Sequence, residues 1–103
     1  MKPLPVVFRA AAARDVRNAR AQYEETRPGL GETFAGRVED AIAVVESNPE
    51  LCQVVDPSRQ IRRALTRQFS FAIYYMIEVE RERVVILAVL PASMSSSRWR
   101  NRR

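Results

Sequence analysis

The side chains in this sequence with chemistry to offer are arginines. Of seventeen basic residues only Lys2 is a lysine, and the other sixteen are arginine. A guanidinium presents a planar fork of donors that meets carboxylate or phosphate in two parallel bonds and stacks on aromatic rings. It stays charged at every working pH, so it neutralises and orients but does not shuttle protons. There is no histidine and a single cysteine, Cys52, which excludes a His-based triad or a zinc site. The candidates for contact with a target or partner are Arg62, Arg63 and Arg67, with Tyr74 nearby, and the terminal group Arg98, Trp99, Arg100, Arg102 and Arg103. No catalytic residue, metal or cofactor is assigned.

Each candidate has a plainer reading. Arg62 and Arg63 sit on a short strand where an arginine stem often packs on the sheet, and Arg63 shares a strand face with Ile61 and Leu65. Residues 98–103 form a basic tail that can be a solvated terminus with Trp99 packed back. Tyr74 and Tyr75 point to opposite faces, so one belongs to the core and one to a partner groove. Abundant arginine with alanine also follows from GC-rich coding.

Charge is unevenly placed. Residues 1–60 carry net −1 and residues 61–103 carry net +6, within a total of +5. The excess implies an acidic partner, nucleic acid or protein.

The elements that position these groups follow from periodicity. Pro5 to Phe8 is β-prone, and Pro3 and Pro5 confine it to a sheet edge. Ala12, Val16, Ala19 and Tyr23 form one apolar stripe of a helix over Ala10–Thr26, weakly capped at its start. Arg27-Pro28-Gly29-Leu30-Gly31 breaks it. A second helix over Glu32–Ser47 buries Phe34, Val38, Ala41, Ile42 and Val45, and Asn48-Pro49 stops it. Leu51 to Arg59 reads as a connecting loop.

Gln60 to Leu90 then holds three apolar runs separated by polar breaks, the pattern of an antiparallel meander. Phe71, Ile73, Tyr75 and Ile77 share one face, and Ala72, Tyr74 and Met76 the other. Val84–Leu90 is apolar on both faces and must be covered twice. The helices cover one face; a partner, or the folded-back tail, covers the second. Glu80–Arg83 is a solvated turn. The expected architecture is α+β: a short N-terminal strand, an αα-hairpin and a three-stranded antiparallel meander with the helices on one face (β-α-α-β-β-β). Residues 1–103 form a single domain. One cysteine excludes an internal disulfide, and no signal peptide or membrane-length apolar run is present, so a cytoplasmic protein is expected.

This order of elements resembles the RelE/ParE superfamily of toxins from bacterial type II toxin–antitoxin modules, over Val6 to Arg100. The resemblance is carried by Ala13-Arg14-Asp15-Val16, Tyr23-Glu24, Pro28-Gly29-Leu30-Gly31 with Phe34, Asn48-Pro49, Ile61-Arg62-Arg63, and Gln68 to Tyr75. The family's usual His-x-x-Arg-Asp-Pro segment after the last strand is replaced by Pro91-Ala92-Ser93-Met94-Ser95-Ser96-Ser97, although Trp99 keeps its spacing. Ser93-Met94 is similar to a pair found in some ParE-like members. The resemblance implies a toxin neutralised by an acidic antitoxin in a hetero-oligomer. ParE-like toxins bind and poison DNA gyrase, which requires no catalytic acid and is the favoured reading. RelE-like members are ribosome-dependent endoribonucleases, which need a proton-transferring cluster absent here. A non-toxic antitoxin-binding module is the third reading.

Overall fold

Alanine-rich spacing lets the first helix approach its neighbours closely, and the chain is built outward from that approach. The computed structural model describes residues 3–94 and 97–102. After strand β1 (Val6–Phe8), helix α1 (Ala10–Thr26) buries Ala12 and Ala19 and rests Val16 and Tyr23 on the core. Its N-terminus has no side-chain cap. Arg27 turns extended, Gly29 adopts a left-handed φ of 89°, and helix α2 runs Leu30–Ser47. It therefore starts two residues earlier than its sequence pattern predicts.

The junction explains this early start. The Glu24 carboxylate accepts hydrogen bonds from the Gly29 and Gly31 N–H groups at 2.9 and 3.1 Å. A side chain of α1 thus satisfies donors that the first turn of α2 leaves open, and places negative charge at its positive end. Gly31 is required by proximity: a Cβ there would lie 2.6 Å from the Arg20 carbonyl oxygen. Gly31→Ala is expected to lower stability by about 1–3 kcal/mol through overpacking. Gly36→Ala, where a Cβ meets open space, is expected to raise it by about 0.4–1 kcal/mol. Thermal unfolding of the pair separates helix propensity from the close approach.

The remaining strands are β2 (Gln53–Asp56), β3 (Ile61–Leu65), β4 (Phe71–Glu78) and β5 (Arg83–Pro91), followed by one helical turn, α3 (Ser97–Arg100). The sheet order is β1-β5-β4-β3-β2. Strand β1 pairs parallel to β5, and every other pairing is antiparallel, so the sheet is mixed. The β-α-α-β-β-β order holds with one addition. Leu51–Arg59 is not merely a connecting loop, because Gln53–Asp56 pairs with β3 and extends the meander to four strands. Its four residues contain only Val54-Val55 as a signal and a bulge interrupts the register, so its strand identity comes from the β3 backbone groups it satisfies.

The β3–β4 connection is unusual. Gln68, Phe69 and Ser70 all have positive φ, at 62°, 63° and 50°, and such residues normally cost about 1–3 kcal/mol each. Anchors on both sides hold them. The Phe69 ring sits 4.7 Å from Tyr23 and 5.4 Å from Phe34, edge-on to both. Thr66 Oγ1 donates to the Gln68 carbonyl and accepts from the Phe71 N–H. Arg37 donates to the Gln68 side chain at 2.8 Å.

The helices cover one face of the sheet, packing Phe34, Val38 and Val45 against Ile73, Tyr75, Val84 and Ile86. The opposite face holds Ile61, Tyr74, Val85, Leu87 and Leu90, and it is covered as well. Among the described residues no helix is long and apolar enough to cross a membrane.

Candidate interaction surface

Strand β5 buries seven consecutive residues, Val84 to Leu90, so its second face needs a cover that the helices cannot supply. The tail provides it. Trp99, carried on α3, is 3% exposed and stacks on Tyr74 with ring centroids 4.6 Å apart and planes 16° from parallel. Met94 and Val55 pack against the same cluster. The Arg100 guanidinium carbon lies 5.4 Å from the Trp99 ring centroid, within cation–π range. The expected uncovered apolar face is therefore occupied by the protein's own tail. Nothing periodic in residues 92–102 announces this.

A polar clamp holds the tail. Strand β1 ends at Phe8 opposite Ile86, so β5 runs on without a neighbour on that edge. Asp15, on α1, fills the gap by accepting from the Val89 N–H at 2.9 Å. Arg102 forks onto the same carboxylate at 2.5 and 3.2 Å and donates to the Leu87 carbonyl at 3.1 Å. From the other side Arg59 donates to the Arg100 and Arg102 carbonyls. Arg59 is aimed by an Asx turn in which the buried Asp56 carboxylate accepts from the Ser58 hydroxyl at 2.7 Å and from the Ser58 N–H at 3.1 Å. The Ser58 hydroxyl bond, aided by the Arg59 N–H and opposed by burial, holds the Asp56 carboxyl below its ordinary range.

Asp15 and Arg59 were not candidates on sequence. The available signal for Asp15 was its position as the lone acid in the first turns of α1, between Arg14 and Arg17.

The structure sorts the predicted residues by role. Arg62 donates one nitrogen to both the Glu50 and Cys52 carbonyls at 2.8 Å, which ties the chain leaving α2 to β3. Arg63 stands opposite Tyr74 in the β3–β4 register, and its Nε is buried without an acceptor. Arg67, Arg98 and Arg100 are exposed. Tyr74 is 2% exposed, so of the two tyrosines neither lines an open groove in this arrangement; both are core. Arg102 is committed to Asp15. Arg103 lies outside the described residues.

The chemistry on offer is charge, stacking and donor geometry. Tyr75 donates to the Pro49 carbonyl at 2.7 Å, and burial, with Cys52 beside it, pushes its phenol far above its ordinary value. It stays protonated and is closed to solvent, so it moves no proton for a substrate. Among the described residues no cluster of His, Cys, Asp or Glu could hold a metal ion.

Residues 6–95 match the family profile described as ParE toxin of type II toxin–antitoxin system, parDE. No curated protein matches the chain by sequence. Among solved structures, the fold is similar to a chain of the RelBE2 toxin–antitoxin complex from Mycobacterium tuberculosis. That match has TM-score 0.60 and 24% identity, and spans 86% of this chain and 98% of that one. It is also similar to a chain of the chromosomal ParDE system from P. aeruginosa, with TM-score 0.65 and 12% identity, over 90% of this chain and 100% of that one.

Proposed function

The chain belongs to the ParE toxin family of type II toxin–antitoxin systems, and from that premise we propose that it binds and poisons DNA gyrase and is neutralised by an acidic antitoxin. The toxin assignment rests on one observation, a family match that runs from β1 through β5 and into the segment after it. The gyrase target is the finer step. What supports it is the character of the exposed groups: Arg67, Arg98 and Arg100 offer charge and donors, and no titrating acid or base stands with them. Binding interference needs no proton transfer, whereas cutting RNA does.

The antitoxin half is supported by the net +6 on residues 61–103 and by the interaction habits of acidic segments that fold on binding. A toxin–antitoxin hetero-oligomer is the resting form in this proposal.

Inducible expression with two readouts tests the target. Gyrase poisoning is expected to raise a DNA-damage response before protein synthesis slows, and purified gyrase with the protein is expected to accumulate cleaved DNA. An immediate stop in translation with cut messenger RNA would assign the ribonuclease reading instead. Growth unaffected on strong induction would leave only the binding-module reading.

A further inference from the structure

Two concave surfaces compete as the place where an acidic partner docks. The larger, about 600 Å³, lies between α1 and α2 beside Phe8. Its charged rim is balanced, with Arg17 and Arg20 against Glu39 and Glu46. Nothing there selects a partner by charge.

The second lies where α2 meets the end of β3. Two adjoining depressions of about 280 and 210 Å³ share Ala41, Val44 and Leu65 as their floor. Val44 is 56% exposed and Leu65 57% exposed, an apolar pair left open on a protein whose other core faces are covered. Strand β2 pairs with β3 only as far as Arg63, so the chain edge at Ala64–Leu65 has no strand beside it. The rim is one-sided. Arg37, Arg63 and Arg67 border the two depressions against a single acid, Asp40, which already pairs with Arg37 at 3.3 Å. No printed hydrogen bond or ion pair engages the Arg63 or Arg67 side chain among the described residues, and Arg63 Nε is buried with no acceptor. A desolvated guanidinium nitrogen without an acceptor is a standing demand for an oxygen ligand.

We propose that this shelf, floored by Val44 and Leu65 and rimmed by Arg63 and Arg67, is the docking site for an acidic amphipathic segment of the antitoxin. The inference rests on the reading that this toxin has such a partner, and adds where and through which groups it binds. The segment sets apolar side chains on Val44 and Leu65 and carboxylates against Arg63 and Arg67. A second copy of this chain does not fit, because a symmetric contact would set the arginine rim against itself. Nucleic acid does not fit the aliphatic floor, which offers phosphate nothing.

The test uses the full toxin and, as probe, the purified product of the short acidic reading frame beside its gene. Leu65→Asp is expected to weaken the complex about tenfold or more. Arg67→Glu is expected to do the same and to flatten the salt dependence of binding, with Arg67→Lys restoring most of it. Arg17→Glu, in the larger groove, is expected to leave affinity unchanged. Leu65 and Arg67 are exposed, so circular dichroism is expected to show both variants folded. Wild-type binding that Leu65→Asp and Arg67→Glu do not alter would overturn the docking site while leaving the partner intact. Loss with Arg17→Glu instead would move the site to the α1–α2 groove. No binding by the wild type would remove the partner, and the docking site with it. A dimer of toxin alone that Leu65→Asp dissolves would assign the shelf to self-association and overturn the proposal.

Discussion

Trp99→Ala is expected to lower the free energy of unfolding by about 3–5 kcal/mol, the range for deleting a buried large aromatic. Trp99 is 3% exposed, stacks on Tyr74 and shares a cluster with Ile61, Val85 and Leu87. Removing the indole takes away both its own burial and the lid over that face. The residue is near the end of the described chain, so the loss is capped by the energy with which the whole tail docks. Urea unfolding checks it, and a second readout distinguishes a lid from an ordinary core residue. The variant is expected to bind a hydrophobic dye while still folded, because the second face of β5 is then open. A change below about 1 kcal/mol with no dye binding would show that the tail does not cover the sheet.

Asp15→Ala is the second large effect, expected at about 2–4 kcal/mol. It leaves the Val89 N–H and the Arg102 guanidinium without their acceptor, and a buried donor stripped of its partner costs about 1–3 kcal/mol. The side chains of Asp15 and Arg102 are 12% and 25% exposed, so solvent screening keeps the total below that of a fully buried pair. Asp15→Asn retains an acceptor for Val89 and is expected to lose about half as much. Arg102→Met combined with Asp15→Ala closes a double-mutant cycle, with an expected coupling of about 1–2 kcal/mol. Additive losses would mean that the two side chains act separately and that no clamp exists.

These two predictions concern the part of the molecule that its sequence revealed least. Local repeats were readable. The Ala12-Val16-Ala19-Tyr23 stripe, the buried face of α2 and the alternation of Phe71 to Ile77 each repeat within a few residues, and the structure puts them where their periods require. The double burial of Val84–Leu90 was readable too, as a demand for two covers. What was not readable is which segment supplies the second cover. Trp99 offers one aromatic without a period, and Asp15 and Arg102 are 87 positions apart. Strand β2 escaped for a related reason: four residues with two valines carry no period, and pairing with β3 makes them a strand. For the candidate site, the arginines were identifiable by type but not by duty. Arg62 serves backbone carbonyls and Arg102 serves a carboxylate of its own chain, while Arg63 and Arg67 keep their charge for something else.

The parallel pairing of β1 with β5 sets a timetable for synthesis. Val6 meets Val84, and Val7 meets Val85, so the first strand to leave the ribosome waits for nearly the last. The αα-hairpin and the β2–β4 hairpins join neighbours in the chain and can form as they emerge, but the β1–β5 seam is a long loop closure, the slow kind. The Asp15 clamp waits longer still, for Arg102. A nascent chain therefore carries helices and an unfinished sheet without a closed domain until β5 and the tail have been made. The cell gains a harmless interval, built into the order of strands, in which an inhibitor can be made and can arrive before the protein is complete.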